Sequence, residues 1–443
     1  MLIKRNLIEI IKPYFSRKEY IAIVGPRQSG KTTFLEILKE YLTSNVQVSP
    51  ELVKIISFED RRILQEFEEN PISFINSWIS NSEQINYLLI DEFQYAKDGG
   101  QKLKLVYDML KNVKIIITGS SSLEMASKVK SFMTGRLLTF HMHPFSFSEF
   151  LRFKDNRLEK IYYNNAFKIN EIMFNFENHK ENLSKKTADN LPAGKDMYFE
   201  EFYELFDEYC IWGGYPSVAM STSKDEKRKV LSEIFNSYIL HDIKGLLDLN
   251  TERELFLLAQ ILATQIGSTV VYNNLSLASG LIYRKMIEHL NILNSTFIIK
   301  EVRPYFTNKQ KEIVKNPKIY FLDNGFRNYL IENYNNLKLR PDSGQMFEQN
   351  AFIRLNEICS DKGQLYFWRT KAGAEVDFVF IKGNELIPIE VKFSEFYRPI
   401  ITKSLTSFIN KFKPKTAFVI NKNFWGKLVI SNTEVVFIPA YYL

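Results

Sequence analysis

Short apolar runs alternate with helix-like patterns over the first third of the chain. Four of these runs end in polar or glycine residues, as buried strands of a parallel sheet do: EYIAIVG, VKIISFED, INYLLIDE and VKIIITGSS. Between them, apolar residues recur at helical spacing, for example from Lys31 to Tyr41 and from Gly100 to Lys111. The pattern predicts an α/β domain with a parallel sheet over residues 1–150.

The pattern changes three times after this domain. Residues 151–197 are rich in Lys, Asn and Glu, and we expect an insert or linker, helical in part, whose tail is a loop. Helical patterns fill 198–260, interrupted by WGGYPS. Residues 261–338 predict a winged helix, in which a turn at Gly280 separates two helices and a strand follows. A final α/β segment covers 339–443.

Composition narrows the class of protein only slightly. Of the 443 residues, 45% are hydrophobic and 25% charged, which is ordinary for a globular protein, and the net charge of +7 weakly favours a polyanionic partner. The two cysteines, Cys210 and Cys359, provide neither zinc-ligand spacing nor a disulfide framework. No apolar run is long enough for a membrane span. We therefore expect a soluble cytoplasmic protein without a membrane partner.

The strongest motif is GPRQSGKTT, which matches the phosphate-loop pattern G-x-x-x-x-G-K-[ST]. Its predicted ATP contacts are Gly25, Pro26, Arg27, Gln28, Ser29, Gly30, Lys31, Thr32 and Thr33. Backbone N–H groups would surround phosphate oxygens, Lys31 would reach the β- and γ-phosphates, and the Thr32 hydroxyl would bind Mg²⁺. A chance glycine loop is the alternative, and the apolar run before the motif and the helix pattern after it disfavour that alternative.

Two further strand ends predict partners for this loop. YLLIDE ends with Asp91, which would hold Mg²⁺, and Glu92, which would orient or activate the attacking water. A carboxylate that caps the next helix is the alternative. IIITGSSS ends with four polar residues, Thr118, Ser120, Ser121 and Ser122. These residues could contact the γ-phosphate or the water, and a helix cap explains them about equally well.

Arg136, in MTGRLLTF, is a candidate arginine finger. A finger stabilises the charge that develops on the transferred phosphoryl group. A lone arginine is more often the partner in a salt bridge, and this alternative stays open.

The segment AEVDFVFIKGNELIPIEVKFS alternates apolar and polar residues on both sides of KGNE, which predicts a β-hairpin with its turn at 383–384. In that register Asp377 opposes Glu390 and Glu375 opposes Lys392, so that all four would share one face and the phenylalanines, isoleucines and valines would line the other. Two opposed carboxylates repel each other unless a cation lies between them. A divalent ion, Mg²⁺ or Mn²⁺, would satisfy this need.

A third carboxylate, Glu348 in GQMFEQNAFIRLNEI, could complete the set E…D…ExK. Glu348, Asp377 and Glu390 would then hold the metal, and Lys392 would stabilise charge during phosphodiester cleavage. Two alternatives remain. The face could be a solvated edge with weak ion pairs, or a degenerate nuclease fold that serves as a docking surface.

Together, six motifs resemble the prokaryotic AAA-type P-loop ATPases that carry a winged helix and a C-terminal domain of poorly defined function: GPRQSGKTT, YLLIDEFQ, IIITGSSS, GRLLTFHMHPFSFSEF, WGGYPS and PKIYFLDNGFRNYL. The resemblance covers nearly the whole chain apart from 153–197. It implies ATP binding, ATP hydrolysis and a C-terminal domain similar to PD-(D/E)xK nucleases. It also places Thr118 or Ser120 at a sensor position and Arg136 on the Gly-Arg pair of that group.

Three functions follow as hypotheses. The chain could be an ATP-driven enzyme that acts on or binds DNA, or a nucleotide-controlled switch whose nuclease-like domain binds protein or DNA without cutting. It could also be a ring-forming, chaperone-like ATPase, which requires oligomers and an arginine supplied in trans. The second predicted helix of the winged unit, Ile282 to Leu293, has little positive charge, which favours a spacer role over base recognition.

Overall fold

The structure is a computed structural model that describes residues 2–81, 83–120, 129, 131–174, 191–237, 252–359 and 362–443. Within these residues no helix combines the length and the apolar character that a membrane crossing requires. The tail of the Lys/Asn-rich segment, and Ser121 and Ser122 of the IIITGSSS motif, lie outside the described residues.

The first region is a five-stranded parallel sheet in the order β2-β3-β4-β1-β5. Its strands β1 to β5 are Tyr20–Val24, Val53–Ser57, Asn86–Asp91, Val113–Gly119 and Leu137–His141. Helices α1 to α5 are Leu7–Ile11, Lys31–Ser44, Arg61–Glu69, Pro71–Trp78 and Gly99–Met109. The predicted α/β class and the four predicted parallel strands are confirmed.

Both faces of this sheet are covered, which explains why its central strands are largely apolar. On β1, Ile21 packs with Phe34 of α2 on one face, whereas Ala22 packs with Leu103 of α5 on the other. β1, β3 and β4 are buried along their whole lengths. A parallel sheet buried on both faces needs such continuous apolar runs, and it brings the carboxyl ends of the strands to one edge.

A helical region follows. Helices α6 to α11 are Phe147–Lys154, Asn156–Phe174, Phe199–Trp212, Pro216–Met220, Lys224–Ser237 and Glu252–Thr264. The second of these lies in the Lys/Asn-rich segment. Its Leu158, Tyr162, Ile169 and Met173 are buried at helical spacing in the large core. This part of the segment is therefore a packed helix, because the apolar spacing decides its structure although the composition is polar.

The next elements are four helices and a two-stranded sheet. Helices α12 to α15 are Tyr272–Ser279, Tyr283–Ser295, Lys309–Val314 and Asn324–Leu330, and the antiparallel strands β7 and β8 are Ile299–Val302 and Lys318–Phe321. Gly280 follows α12 with φ of 72°, a left-handed conformation that favours glycine. We call residues 252–321 the hairpin unit. Its predicted helix, turn, helix and strand are confirmed in that order, and its assignment as a winged helix stays a prediction.

The last region is a mixed sheet of seven strands in the order β6-β13-β14-β12-β11-β10-β9. Its strands from β9 onward are Gln364–Arg369, Glu375–Lys382, Glu385–Val391, Thr416–Asn421, Phe424–Ile430 and Thr433–Pro439, and β6 is Gly194–Lys195. Helices α16, Ser343–Cys359, and α17, Lys403–Phe412, pack against it. The middle strands β11, β12 and β14 are parallel, which agrees with the predicted α/β class.

The register predicted for the C-terminal β-hairpin, formed by β10 and β11, is confirmed from Phe378, opposite Ile389, to Lys382, opposite Glu385. The predicted division of its faces is wrong. The pairing of β10 with β9 shifts between Val376 and Val379, and this irregularity changes which face each side chain occupies. Val376 packs in the core below α17, whereas Phe378 packs in the large core on the other side.

Candidate functional site

The predicted phosphate loop lies between β1 and α2, at the carboxyl edge of the parallel sheet. A side chain at Gly25 would place its Cβ 2.0 Å from the Met142 carbonyl oxygen, so that only glycine fits there. Gly30 has φ of 90°, which permits the turn into α2. The two glycines of the motif are thus required for different reasons. Gly25 permits a close approach of two backbone segments, and Gly30 permits a left-handed turn.

The side chains at the start of α2 face the end of β3. The Thr32 hydroxyl donates to Asp91 Oδ2 at 2.6 Å. Lys31 is buried, and its Nζ donates to the carbonyl oxygens of Gly25 at 3.0 Å and Pro26 at 2.9 Å. The predicted lysine, magnesium-binding hydroxyl and strand-end carboxylate therefore lie together, and a carboxylate beside a hydroxyl is an oxygen donor set that suits Mg²⁺.

The end of β4 completes this arrangement. The buried Thr118 hydroxyl donates to Asp91 Oδ1 and accepts from the backbone N–H of Glu92 at 3.0 Å. Glu92 has φ of 53°, and although it precedes a 3₁₀ turn its side chain makes no capping hydrogen bond. The helix-cap alternative for Glu92 therefore does not describe this structure. Burial raises the pKa of the Glu92 carboxyl, and the nearby Lys31 opposes this shift.

Two residues that the sequence analysis missed support the loop and the acid. Gln94 donates to Glu92 and to the Ser120 hydroxyl, the latter at 3.2 Å, which gives Ser120 an indirect contact with the predicted catalytic acid. Arg5 is buried and donates to the Ser29 carbonyl at 2.9 Å and to Glu149 at 3.0 Å. No motif marks Arg5, because its partners are distant in sequence.

Arg136 lies at the opposite edge of the sheet. It immediately precedes β5, whose first residue pairs with Tyr20, the first residue of β1, whereas the phosphate loop follows the last residue of β1. A strand of this length separates the two edges by roughly 15 Å. Arg136 instead pairs with Asp108 at 3.1 Å. An arginine finger acting within the same chain is therefore excluded, the salt-bridge alternative describes the residue, and action in trans stays a prediction.

A second group of ionisable residues lies where the hairpin unit meets the C-terminal sheet. Lys318 of β8 forms ion pairs with Glu348 of α16 at 3.1 Å and with Glu375 of β10 at 2.6 Å, and its side chain is only 2% exposed. Tyr320 donates a hydrogen bond to the same Glu348 oxygen. Lys318 is absent from the sequence-based set, and it corrects one predicted pair, because Glu375 contacts Lys318 and not Lys392.

The other predicted residues of this group, Asp377, Glu390 and Lys392, lie close enough together to shift one another's pKa values. Asp377 Oδ2 accepts from the Val391 backbone N–H at 2.7 Å. Glu390 pairs with Lys392 at 2.8 Å and accepts from Thr402, the N-cap residue of α17, at 2.8 Å. Glu390 thus lies on the α17 face, whereas Glu375 lies on the side of Lys318. The prediction that all four charged residues share one face is wrong.

Burial dominates the electrostatics of these acids. It raises the pKa of Glu348 to about 7 and also raises the pKa values of Asp377 and Glu390, although Lys318 and Lys392 oppose the shift. Burial alone lowers the pKa of Lys318, but the surrounding carboxylates more than compensate and raise it above its ordinary value. Each charge in the group therefore depends on its neighbours.

The predicted metal ligands Glu348, Asp377 and Glu390 do not fit a divalent ion in this arrangement. Among the described residues, no three His, Cys, Asp or Glu side chains come together closely enough to hold a metal. Moreover, the Lys318 ammonium already bonds two carboxylates of the group, and a divalent ion there would meet a second positive charge.

Comparison with known families agrees with the first region. Residues 17–151 match the AAA domain family, and with the observed sheet and phosphate loop they form a P-loop domain of the AAA type. Residues 203–339 match a domain of unknown function, DUF8612, and residues 343–441 match another, DUF4143. The similarity of the last region to PD-(D/E)xK nucleases stays a prediction.

Relatives span most of the chain. An uncharacterized protein of Haemophilus influenzae is 24% identical over an alignment that covers 97% of this chain and 96% of that protein. One of Methanocaldococcus jannaschii is 24% identical over 84% of this chain and 75% of its own length. Among solved structures, a Walker-type ATPase of Pyrococcus abyssi is 14% identical with a TM-score of 0.43, over 74% of this chain and 96% of that one.

Proposed function

We propose that this protein binds ATP with Mg²⁺ at the phosphate loop and hydrolyses it. The observation that carries the proposal is the linked set of Thr32, Asp91 and Thr118, with Glu92 directly beside it. Thr32 and Asp91 would hold Mg²⁺, which supplies positive charge to the phosphates when bound. A capping or purely structural role would not require the hydroxyls of α2 and β4 to meet on one carboxylate.

The residues have distinct roles in this proposal. Lys31 neutralises charge on the β- and γ-phosphates, and the loop N–H groups bind their oxygens. Glu92 orients the attacking water and accepts its proton, for which its raised pKa suits it better than an ordinary carboxylate. Gln94 and Thr118 hold Glu92 from its side chain and its backbone, so that they act as positioning residues.

The loop also contacts the helical region, which suggests how nucleotide would influence the rest of the chain. Gln28 donates to Ser237 at the end of α10 at 3.3 Å. Pro216 of α9 lies 3.7 Å from the position that a Cβ would take at Gly30. A conformational change of the loop on ATP binding would therefore alter contacts with α9 and α10. We infer a nucleotide-controlled switch as part of the function.

ATP binding and hydrolysis can be tested with two matched lysine variants. We expect Lys31→Ala to lose binding of a fluorescent ATP analogue and to lose hydrolysis, because the phosphates lose their cation. Lys39→Ala, on the same helix but outside the loop, serves as the control and should behave like the wild type. Equal nucleotide affinity of Lys31→Ala and the wild type would refute the proposed site.

Action on DNA is a second candidate function, favoured by the Glu390–Lys392 pair beside Asp377. Plasmid and linear DNA would be incubated with Mg²⁺ or Mn²⁺, with and without ATP, using wild type and Asp377→Ala. Cleavage that disappears in Asp377→Ala would support a nuclease. Intact DNA in every arm would favour the alternative, in which the C-terminal domain binds protein or DNA without cutting.

A further inference from the structure

Arg5 lies behind the phosphate loop and joins it to the start of α6. Its guanidinium donates to the Ser29 carbonyl at 2.9 Å, to the His143 carbonyl at 2.6 Å and to the Glu149 carboxylate at 3.0 Å. It also lies over the Phe145 ring, 4.9 Å from the ring centroid. Only 4% of Arg5 is exposed, and each of its three side-chain nitrogens makes one of these hydrogen bonds. The buried cation therefore fixes the position of a loop carbonyl relative to two other segments of the chain.

Glu149, the charged partner of Arg5, is itself held in place. It is the third residue of α6 and forms a capping box with Ser146, whose backbone N–H donates to it at 3.1 Å. The backbone N–H of Asn6 donates to the same carboxylate oxygen as Arg5, at 2.7 Å. The side chains of Arg5 and Glu149 are only 5% and 4% exposed. Because both partners of this buried ion pair make further hydrogen bonds, the pair has a defined geometry.

The contact with Ser29 determines the direction of the next backbone N–H group. No peptide bond of the described residues is cis, so the bond between Ser29 and Gly30 is trans, and its C=O and N–H groups point in opposite directions. Arg5 holds the C=O on the buried side of the loop. The Gly30 N–H then points to the other side, from which a phosphate would enter. Backbone N–H groups of such loops bind phosphate oxygens.

We propose that Arg5 is a positioning residue for nucleotide binding, which holds the Ser29 carbonyl so that the Gly30 N–H meets the phosphates. Glu149 keeps Arg5 in place, so the phosphate affinity of the loop depends on α6. Arg5 precedes residues 17–151, which match the AAA domain family, so this support comes from outside the matched domain. The role rests on the proposed ATP binding and adds a residue that acts on the phosphates without touching them.

The test compares Arg5→Lys with a matched variant, Arg152→Lys. Arg152 also anchors the N-terminal segment, since it donates to Asn6 Oδ1 at 2.9 Å and to Glu159 at 2.7 Å. None of its contacts with the described residues reaches the phosphate loop. Thermal melting without nucleotide would show that each full-length variant is folded. Binding of a fluorescent ADP analogue, and its displacement by pyrophosphate, would measure the affinity for phosphates.

We expect Arg5→Lys to bind the ADP analogue and pyrophosphate about tenfold more weakly than wild type, because a single ammonium cannot serve three acceptors on separate segments. The kcat for ATP hydrolysis should change little, since Glu92 and Thr32 keep their contacts, and the loss should appear in KM. Arg152→Lys should bind both ligands like the wild type. Wild-type affinity in a folded Arg5→Lys would overturn the proposal. Equal weakening in both variants would also overturn it, because general loosening of the N-terminal segment would then explain the loss.

Glu149→Gln provides a second test if Arg5→Lys fails to fold. It keeps the shape of the side chain but removes the charge opposite Arg5, so the affinity for both ligands should fall by a smaller factor. Unchanged affinity in folded Glu149→Gln would contradict the proposed role. Wild type distinguishes the two proposals. If it binds neither ligand, the ATP site fails and the role of Arg5 fails with it, whereas binding that is equal in wild type and both loop-side variants removes only the role of Arg5.

Discussion

The phosphate-loop site and the C-terminal acids both place a buried lysine beside carboxylates, yet they arrange the charges differently. At the phosphate loop, Asp91 accepts hydrogen bonds from the hydroxyls of Thr32 and Thr118, and Lys31 donates to carbonyl oxygens of its own loop. In the C-terminal region, Lys318 bonds Glu348 and Glu375 directly. The first arrangement suits a ligand that brings its own charge, whereas the second is already compensated without one.

The largest expected effect concerns the phosphate-loop site. Glu92→Gln keeps the shape of the side chain but cannot accept a proton, so we expect kcat for ATP hydrolysis to fall by about 10²–10⁴-fold with nucleotide affinity retained. Steady-state hydrolysis and analogue binding measure the two quantities. Glu36→Gln, exposed on α2, is the control. Unchanged kcat in Glu92→Gln would remove Glu92 from the mechanism.

The next largest effect distinguishes the contributions of Lys318 and Lys392 to the stability of the C-terminal region. Lys318→Met should lower the free energy of unfolding by about 3–5 kcal/mol, because it leaves buried carboxylates without their cation. Lys392→Met should cost less than Lys318→Met, since the Lys392 side chain is 37% exposed and pairs with one carboxylate, Glu390, which keeps its hydrogen bond from Thr402. Denaturant unfolding in EDTA measures both. Equal costs would mean that burial does not distinguish the lysines.

The comparison can be extended to a buried acid, Asp323, whose described partners are backbone N–H groups and not a lysine. Asp323 accepts from Gly214 at 2.7 Å and from Phe326 at 2.9 Å, and burial raises its pKa to about 6. Since the folded-state pKa exceeds the unfolded value, the folded protein binds more protons between about pH 4 and pH 6. This group's contribution to the free energy of unfolding therefore falls by about 3 kcal/mol as the pH rises through that window.

Asp323→Asn isolates this dependence. The free energies of unfolding of wild type and the variant would be measured from pH 4 to pH 7, where other titrating groups contribute equally to both. Their difference should shrink with rising pH by about 3 kcal/mol. A difference that stays constant would show that Asp323 titrates at its ordinary pKa.

The smallest effect concerns Arg136. Its pair with Asp108 is partly exposed, with 34% and 46% of the two side chains accessible, so Arg136→Ala should cost about 0.2–1 kcal/mol of stability. Hydrolysis by a monomer should be unchanged, because the residue lies at the far edge of the sheet. A loss of hydrolysis that appears only at concentrations where the protein self-associates would instead support action in trans.

The sequence predicts those features that depend on local geometry. The phosphate loop, the strand-end acids Asp91 and Glu92, and the turn of the β-hairpin can each be recognised from a few neighbouring residues. These residues favour the local backbone conformation that each feature needs. The register from Phe378 to Lys382 follows from the two-residue turn for the same reason. These predictions required no knowledge of how distant segments pack.

The sequence does not predict the features that depend on distant contacts. Lys318, in KNPKIYF, has no local signal, because its partners come from α16 and β10. Arg5 has no local signal either, since its partners Ser29 and Glu149 are distant in sequence and contact it only in the folded chain. The irregularity between Val376 and Val379 depends on pairing with β9, and the alternation of apolar residues continues past it without a change.

One modest element, the two-residue strand Gly194–Lys195, has a consequence for how the chain folds. It pairs with Phe424 and Trp425 at the edge of the C-terminal sheet, and Tyr441 donates to the neighbouring Asp196 at 2.7 Å. During synthesis this strand emerges long before its partner, and a contact between such distant segments forms slowly. The last segment expressed alone would lack this strand and expose β13 as an unpaired edge, which invites aggregation. The C-terminal sheet is therefore complete only when β6, from the first half of the chain, pairs with its edge.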